Sequence, residues 1–296
     1  MAMKRIAEIF MLALLISAVF IMIYSVFNRD SVSRGGALPG ISGGEQLGLI
    51  KIEGLILKSK PVVELIERYR KDDDIKGVLV RIDSPGGGVA ASQEIYEALK
   101  RVREQGKKVV VSMGAVAASG GYYIACAADT IVANPGTTTG SIGVIMELLD
   151  YSDLMGKIGI RANTIKSGKF KDAGNGWRRM TEEERQYLQQ FIDDAYEQFL
   201  TVVQEARGMS RTEILEIAEG KIFTGKQALD LGLIDVLGTY DDARRLAAEL
   251  SGIKGEPEVY EPKQRKRTFF DLIFGDVDAM LSEMQNLPVL RYQLVF

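Results

Sequence analysis

Histidine is missing from this chain altogether, and cysteine occurs once, at Cys126. Without histidine there can be no Ser-His-Asp triad, no His-ligated zinc and no imidazole titrating near neutral pH. A single cysteine cannot close an intramolecular disulfide or build a thiolate metal cluster. Lying in an apolar stretch, Cys126 reads as a buried structural thiol rather than a nucleophile. An excess of positive charge is also lacking: the net charge is −3, so nothing points to nucleic acid as a partner. Two glycine-rich turns are present, but neither has the Lys-Ser/Thr ending of a phosphate loop or the glycine spacing of a dinucleotide fingerprint. Carboxylate pairs suited to glycoside chemistry are not evident, and Asp72-Asp73-Asp74 reads as the solvated end of a helix. No metal site and no cofactor is expected.

What is present begins with a membrane signal. Lys4 and Arg5 precede Ile9 to Phe27, a run without a charge. At about 1.5 Å per residue such a run just spans a bilayer. The flank Asn28 to Arg34 offers no small-x-small cleavage site, so the segment reads as an uncleaved anchor. The basic N-terminus favours a cytoplasmic start and an extracytoplasmic remainder, although Arg29 and Arg34 lie on the other flank. The expected organisation is an anchor over 1–28, a Gly- and Ser-rich linker over 29–46, one domain over 47–262 and a tail over 263–296. The tail is basic at Lys263 to Arg267 and apolar at its end. It is read as packing on the domain, as an oligomer contact, or as a peptide-like segment.

Within the domain, apolar runs alternate with segments of helical spacing. Strands are expected at Leu47–Glu53, Gly77–Asp83, Lys108–Met113, Thr130–Ala133 and Arg161–Ile165. Helices are expected at Pro61–Lys71, Val89–Gln105, Tyr122–Ala128, Tyr151–Ile158 and Asp241–Leu250. Thr181-Glu-Glu-Glu184 is a capping box opening a long helix with Leu188, Phe191, Ala195, Phe199 and Val202 on one stripe. Such alternation implies an α/β fold with parallel pairing. Ser84-Pro-Gly-Gly-Gly88 reads as a turn that no regular element traverses.

The chain is organised around Gly114-Ala-Val-Ala-Ala-Ser-Gly-Gly-Tyr-Tyr123, which places Ser119 at a strand-to-helix turn. Small neighbours allow close backbone approach, and the first turn of a helix presents unpaired N–H groups to a developing oxyanion. The plain alternative is a serine that merely caps a helix. If Ser119 is a nucleophile, its proton must go to a lysine held neutral by burial, since there is no histidine. Gly86 and Gly87, at the same carboxyl edge of the sheet, and Gly120 are candidate oxyanion donors. Lys166, Lys169 and Lys171 share one polar loop, and spacing does not choose among them. Ser141 or Thr137–Thr139 are hydroxyls able to orient an amine.

At these residues the chain resembles the bacterial signal peptide peptidase A family, short form. The resemblance is carried by Asp83-Ser-Pro-Gly-Gly-Gly88, Ala117-Ala-Ser-Gly-Gly-Tyr-Tyr123, Thr139-Gly-Ser-Ile-Gly-Val144, Lys166-Ser-Gly168 with Lys171-Asp172, and Gly225 to Asp235. It covers Leu47 to about Leu250 and the anchor. It implies a crotonase/Clp-protease-like fold of repeated β-β-α units and a Ser-Lys dyad. Residue by residue it makes Ser119 the nucleophile, Lys171 the base with Lys166 as second choice, Ser141 the lysine-orienting hydroxyl, and Gly86 and Gly120 the oxyanion donors. It further implies peptide substrates such as cleaved signal peptides, a single-pass location in the cell membrane, and a homo-oligomeric ring. The rival readings are a membrane protease of the stomatin-partner type, a crotonase-like acyl-CoA enzyme, and a non-catalytic membrane scaffold.

Overall fold

The computed structural model describes residues 45–262 and the short strand Arg291–Gln293. The expected anchor, most of the linker and the remainder of the tail lie outside the described residues. Among the described residues no helix is long and apolar enough to cross a membrane.

Three parallel strands form the centre of the sheet: β1 (Gln46–Glu53), β2 (Ile75–Ser84) and β4 (Lys108–Ala118). They are joined by two helices, α1 (Lys60–Lys71) and α2 (Val89–Glu104). The strands read as unbroken apolar runs because both faces are covered. Ile50, Ile52, Val78, Val80, Ile82, Val109 and Val111 pack with Ile66, Ile95 and Leu99 of the two helices. The alternate residues Leu47, Leu49, Leu79 and Val110 pack with Ala243, Ala247 and Ala248 of the last helix, Tyr240–Leu250. Tyr69 of α1 spans this arrangement, donating from its hydroxyl to Leu49 O at 3.1 Å.

Strand β4 changes partners along its length. Val110 to Met113 pair with β5 (Thr130–Ala133), whereas Val116 to Ala118 pair with β6 (Thr138–Gly140). The strand expected over Lys108–Met113 continues to Ala118, directly before Ser119. Gly114 permits the continuation, because a Cβ there would lie 2.7 Å from the Asp83 carboxyl carbon. The hydroxyls of Thr137 and Thr139 donate to Gly114 O and Ala117 O at 2.8 and 2.7 Å, fastening the second half.

Two other expectations are corrected. The stretch Ser84–Gly88 is not a turn alone: Gly86–Gly88 form β3, which pairs antiparallel with β10 (Arg291–Gln293). Arg161–Ile165 is not a strand but irregular and exposed. A strand needs a ladder partner, and both sides of β4 are already taken, while the outer edge of β6 pairs with β7 (Ile222–Thr224).

The remaining elements are short, except one. Helix α3 (Gly120–Ala125) follows Ser119, and α4 (Ser152–Lys157) precedes the lysine loop. Helix α5 (Glu182–Arg207) begins with the expected capping box, Thr181 Oγ1 accepting from Glu184 N at 3.2 Å. Its C-terminal half buries Ala195, Phe199 and Val202, as the stripe predicts. Its N-terminal half runs past the core, leaving Phe191 52% exposed and Leu188 half-buried.

Candidate active site

Ser119 has φ 52° and ψ −116°, a region that non-glycine residues rarely occupy. Such strain costs on the order of 1–3 kcal/mol and persists only where the surroundings impose it. Here both backbone groups are tied: Ser119 N donates to Gly140 O, and Ser119 O accepts from Tyr123 N, each at 2.8 Å. The side chain caps nothing, which removes the plain reading of a helix-capping serine. Its Oγ is buried and has no hydrogen-bond partner among the described residues. A buried hydroxyl without a partner is costly, so this one is spare in the resting state.

The glycine edge lies directly against this turn. A Cβ on Gly121 would come within 3.1 Å of Ser84 O, and one on Gly87 within 2.3 Å of Ile56 O. Gly86 sits at φ 103°, and its N–H donates to Ser84 Oγ at 3.1 Å. The Ser84 hydroxyl donates in turn to Gly54 O at 2.6 Å. Of the two expected oxyanion donors, Gly86 is therefore engaged, while Gly120 opens α3, where N–H groups lack intrahelical acceptors. Strand β10 lies antiparallel on Gly86–Gly88 and close to α3, so an extended segment of the chain occupies the edge beside Ser119.

Ser141 follows Gly140, the residue paired with Ala118. It is buried, and among the described residues it is the other non-glycine residue with positive φ, 51°. Its N–H donates to Lys221 O at 2.7 Å. Ser119 and Ser141 thus leave adjacent parallel strands at the same level.

The lysines fall out differently. Lys166 is bound, its amine forming an ion pair with Asp172 and donating to Lys169 O at 2.8 Å. Asp172 is also gripped by Arg178 through Nε at 2.9 Å and Nη2 at 2.8 Å. Arg178 reaches on to Glu184, with Nη1 at 2.8 Å from Oε2. Hydrogen bonds from Arg178 and then from Lys166 hold the Asp172 carboxyl well below the usual carboxylate range. The Arg178 guanidinium holds Glu184 down to about 2. Lys171 stands beside Asp172 with its backbone N–H donating to Gly168 O at 3.2 Å, and its side chain is exposed. Among the described residues its amine makes no hydrogen bond or ion pair, and it does not reach Ser119 Oγ. The burial that a neutral lysine requires is not supplied by one copy of the described chain. The Asp172–Arg178–Glu184 clip escaped the sequence reading; its signal is the six-residue spacing of an acid, an arginine and the acid of the capping box.

The family model for peptidase family S49 matches residues 101–254, and the Clp protease model matches residues 58–138. The chain belongs to peptidase family S49. A Synechocystis protein named "Putative protease" is 44% identical over 71% of this chain and 76% of its own length. An Enterococcus faecium protein named "Putative signal peptide peptidase SppA" is 39% identical over 60% of this chain and 52% of its own. "Protease 4" of Salmonella typhi is 34% identical over 87% of this chain and 40% of its own. This S49 chain thus spans about half or less of the last two. Family membership makes it a serine peptidase with a Clp-protease-like α/β fold. Ser119 and Ser141 lie inside the S49 match, as does the whole lysine loop.

Proposed function

We propose that this S49 peptidase is a membrane-anchored Ser-Lys endopeptidase that cuts extended, apolar peptides, with Ser119 as nucleophile and Lys171 as base. The observation that carries the reading is the strained, buried and unpartnered Ser119 Oγ at a strand-to-helix turn. Lys166 is committed to Asp172 and Lys169 to Glu183, which leaves Lys171 as the spare amine of the loop. Ser119 Oγ attacks the peptide carbonyl while its proton passes to the neutral Lys171 amine. The oxyanion takes hydrogen bonds from Gly120 N–H and from the glycine edge, where Gly86 exchanges its present partner. Collapse breaks the C–N bond, lysinium protonates the departing amine, and water activated by the same lysine hydrolyses the ester.

Strand addition is the mode of substrate binding that the pairing of β10 with β3 supports. Cleaved signal peptides are the proposed substrates, in keeping with the name of the Enterococcus relative. The domain organisation we propose is an anchor over 1–28, a linker over 29–46, the peptidase over 47–262 and a tail over 263–296, with the peptidase outside the cytoplasm. The exposed Lys171 is buried in a ring of copies, one copy's loop closing on the next copy's Ser119 with Ser141 orienting the amine. Leu149, Ile158, Ile160 and Ile165, all exposed around the loop, form the apolar face such a contact covers.

Labelling with a serine-directed fluorophosphonate, followed by peptide mapping, tests the assignment. Modification is expected at Ser119; modification elsewhere, or none in an active preparation, overturns it.

A further inference from the structure

Strands β2 and β4 fall out of step just before the candidate nucleophile. Ile82 pairs with Met113 and Ser84 with Ala117, so Asp83 alone on β2 lies opposite Gly114, Ala115 and Val116 on β4. Over this stretch β4 carries two residues more than its partner. The insertion sets the level of Ser119. Counted on from the Ser84–Ala117 pair, Ser119 stands level with Gly86. In an uninterrupted ladder Ser84 would face Ala115, and Ser119 would stand two residues, about 6.6 Å, beyond that glycine. The close approach of Gly121 to Ser84 O, 3.1 Å from a Cβ placed there, belongs to the shortened path. Bulges next to active sites re-aim side chains in this way.

A bulge takes backbone groups out of the ladder, and each must find another partner. Side chains supply them here. Arg81 Nη1 donates to Met113 O at 3.1 Å, and Thr137 Oγ1 donates to Gly114 O at 2.8 Å. Val116 N–H donates to Asp83 Oδ1 at 3.1 Å. Of these bonds, the one to Asp83 lies nearest Ser119 along the chain. Asp83 is itself fixed at the backbone, where its carbonyl accepts from Gly54 N at 3.0 Å. Its carboxylate fits against the bulge because residue 114 is glycine: a Cβ there would lie 2.8 Å from Oδ2. Asp83 and Ala115 are exposed, so a substitution at position 83 opens no cavity in the core.

We propose that Asp83 is a positioning residue for Ser119. Its carboxylate latches the two-residue bulge at Gly114–Val116, and the bulge sets Ser119 level with the glycine edge. The proposal deepens the reading of Ser119 as the nucleophile and rests on it. Asp83 acts through the backbone: once Val116 N–H is released, β4 is free to relax toward the regular ladder and carry Ser119 away from Gly86. A misplacement of about 1 Å costs up to about 10²-fold in rate.

The full chain is compared with Asp83→Asn, Asp83→Glu and Asp83→Ala by the rate of fluorophosphonate labelling at Ser119, by kcat and KM for a peptide, and by thermal melts. Saturating label counts the competent sites in each sample, and rates are read per site. Asparagine keeps an acceptor in the place of Oδ1 and drops the charge; glutamate keeps the charge and moves the acceptor out by a methylene. Asp83→Asn should stay within about threefold of the unsubstituted chain, while Asp83→Glu and Asp83→Ala fall about ten- to hundredfold in labelling rate and kcat with KM little changed. The order of the asparagine and glutamate variants decides the matter even where Asp83→Ala does not fold. An Asp83→Asn protein as slow as Asp83→Glu, or slower, overturns the proposal, because the charge and not the latch would then matter. So does a lowered melting temperature with an unchanged rate per site, the mark of a merely structural role. Labelling away from Ser119 in the unsubstituted chain removes the nucleophile and this proposal together. Labelling at Ser119 at one rate in every variant removes the positioning role alone.

Discussion

Replacing Ser119 with alanine separates a reactive serine from a structural one by the sign of a stability change. A serine that caps a helix loses about 0.5–2 kcal/mol on going to alanine. Ser119 Oγ caps nothing and is buried without a partner, so alanine deletes an unsatisfied polar atom and no hydrogen bond. Leaving such a group unpaired costs about 1–3 kcal/mol, part of which returns when it is removed. A net gain of about 1 kcal/mol corresponds to a rise in Tm of about 2–4 °C for a domain of this size. The backbone strain at φ 52° is the same for alanine and serine, so it cancels. Ser119→Gly relieves that strain as well and should be at least as stable as the alanine variant, despite a glycine entropy cost of about 0.5–1 kcal/mol. Urea denaturation midpoints and thermal melts of the three proteins give the comparison, with fluorophosphonate labelling alongside. Ser119→Ala should be silent to the label and slower in peptide cleavage by on the order of 10³-fold or more. An alanine variant less stable by about 1 kcal/mol would refute the argument, because it would restore the capping role.

Lys171→Ala should abolish cleavage, whereas Lys166→Ala, which removes only the partner of Asp172, should be milder; mixing Ser119→Ala with Lys171→Ala copies should restore part of the activity if the dyad forms between neighbours. A dead Lys166→Ala beside an active Lys171→Ala reverses the choice of base. Glu184 is held down to about 2 from 4.5, so the stability it contributes is complete above pH 4.5 and is lost as pH falls from there through 2. Melts across that window should show a decline that Glu184→Gln flattens, and an identical decline in the variant would speak against the Arg178 clip. Deleting residues 287–296 removes β10 from the edge of β3 and should raise kcat/KM for peptides. An unchanged value with the assembly intact means that β10 does not compete with substrate.

Much of the fold was legible because local chemistry and tertiary structure agree. Pro61 in the first turn of α1, the Thr181–Glu184 box, and the apolar runs of β1, β2 and β5 signal the same elements that form. Legibility failed where the partner is distant in sequence. Arg161–Ile165 carries Ala162, Thr164 and Ile165 between helical and glycine-rich stretches, yet it pairs with no strand among the described residues. Gly86–Gly88 has the composition of a turn, yet it is straightened by Ile56 on one side and by β10 on the other.

The candidate site divides in the same way. By itself the sequence determined the chemistry available: with no histidine, a serine nucleophile in this chain needs another base, and Ser119 follows a strand among residues small enough for close approach. Only the tertiary structure decided which groups are spare. Gly140, from another strand, accepts the Ser119 N–H and so ties the backbone at φ 52°, and in that conformation Ser119 Oγ makes no cap bond to the helix and no other hydrogen bond among the described residues. Lys166 and Lys171 are equivalent as letters. Folding distinguishes them because Arg178 draws Asp172 toward Glu184, and Asp172 takes Lys166 with it. Residue identity sets what a group can do; the hydrogen bonds and ion pairs that satisfy it, or leave it unsatisfied, are made by residues that spacing along the chain does not reveal.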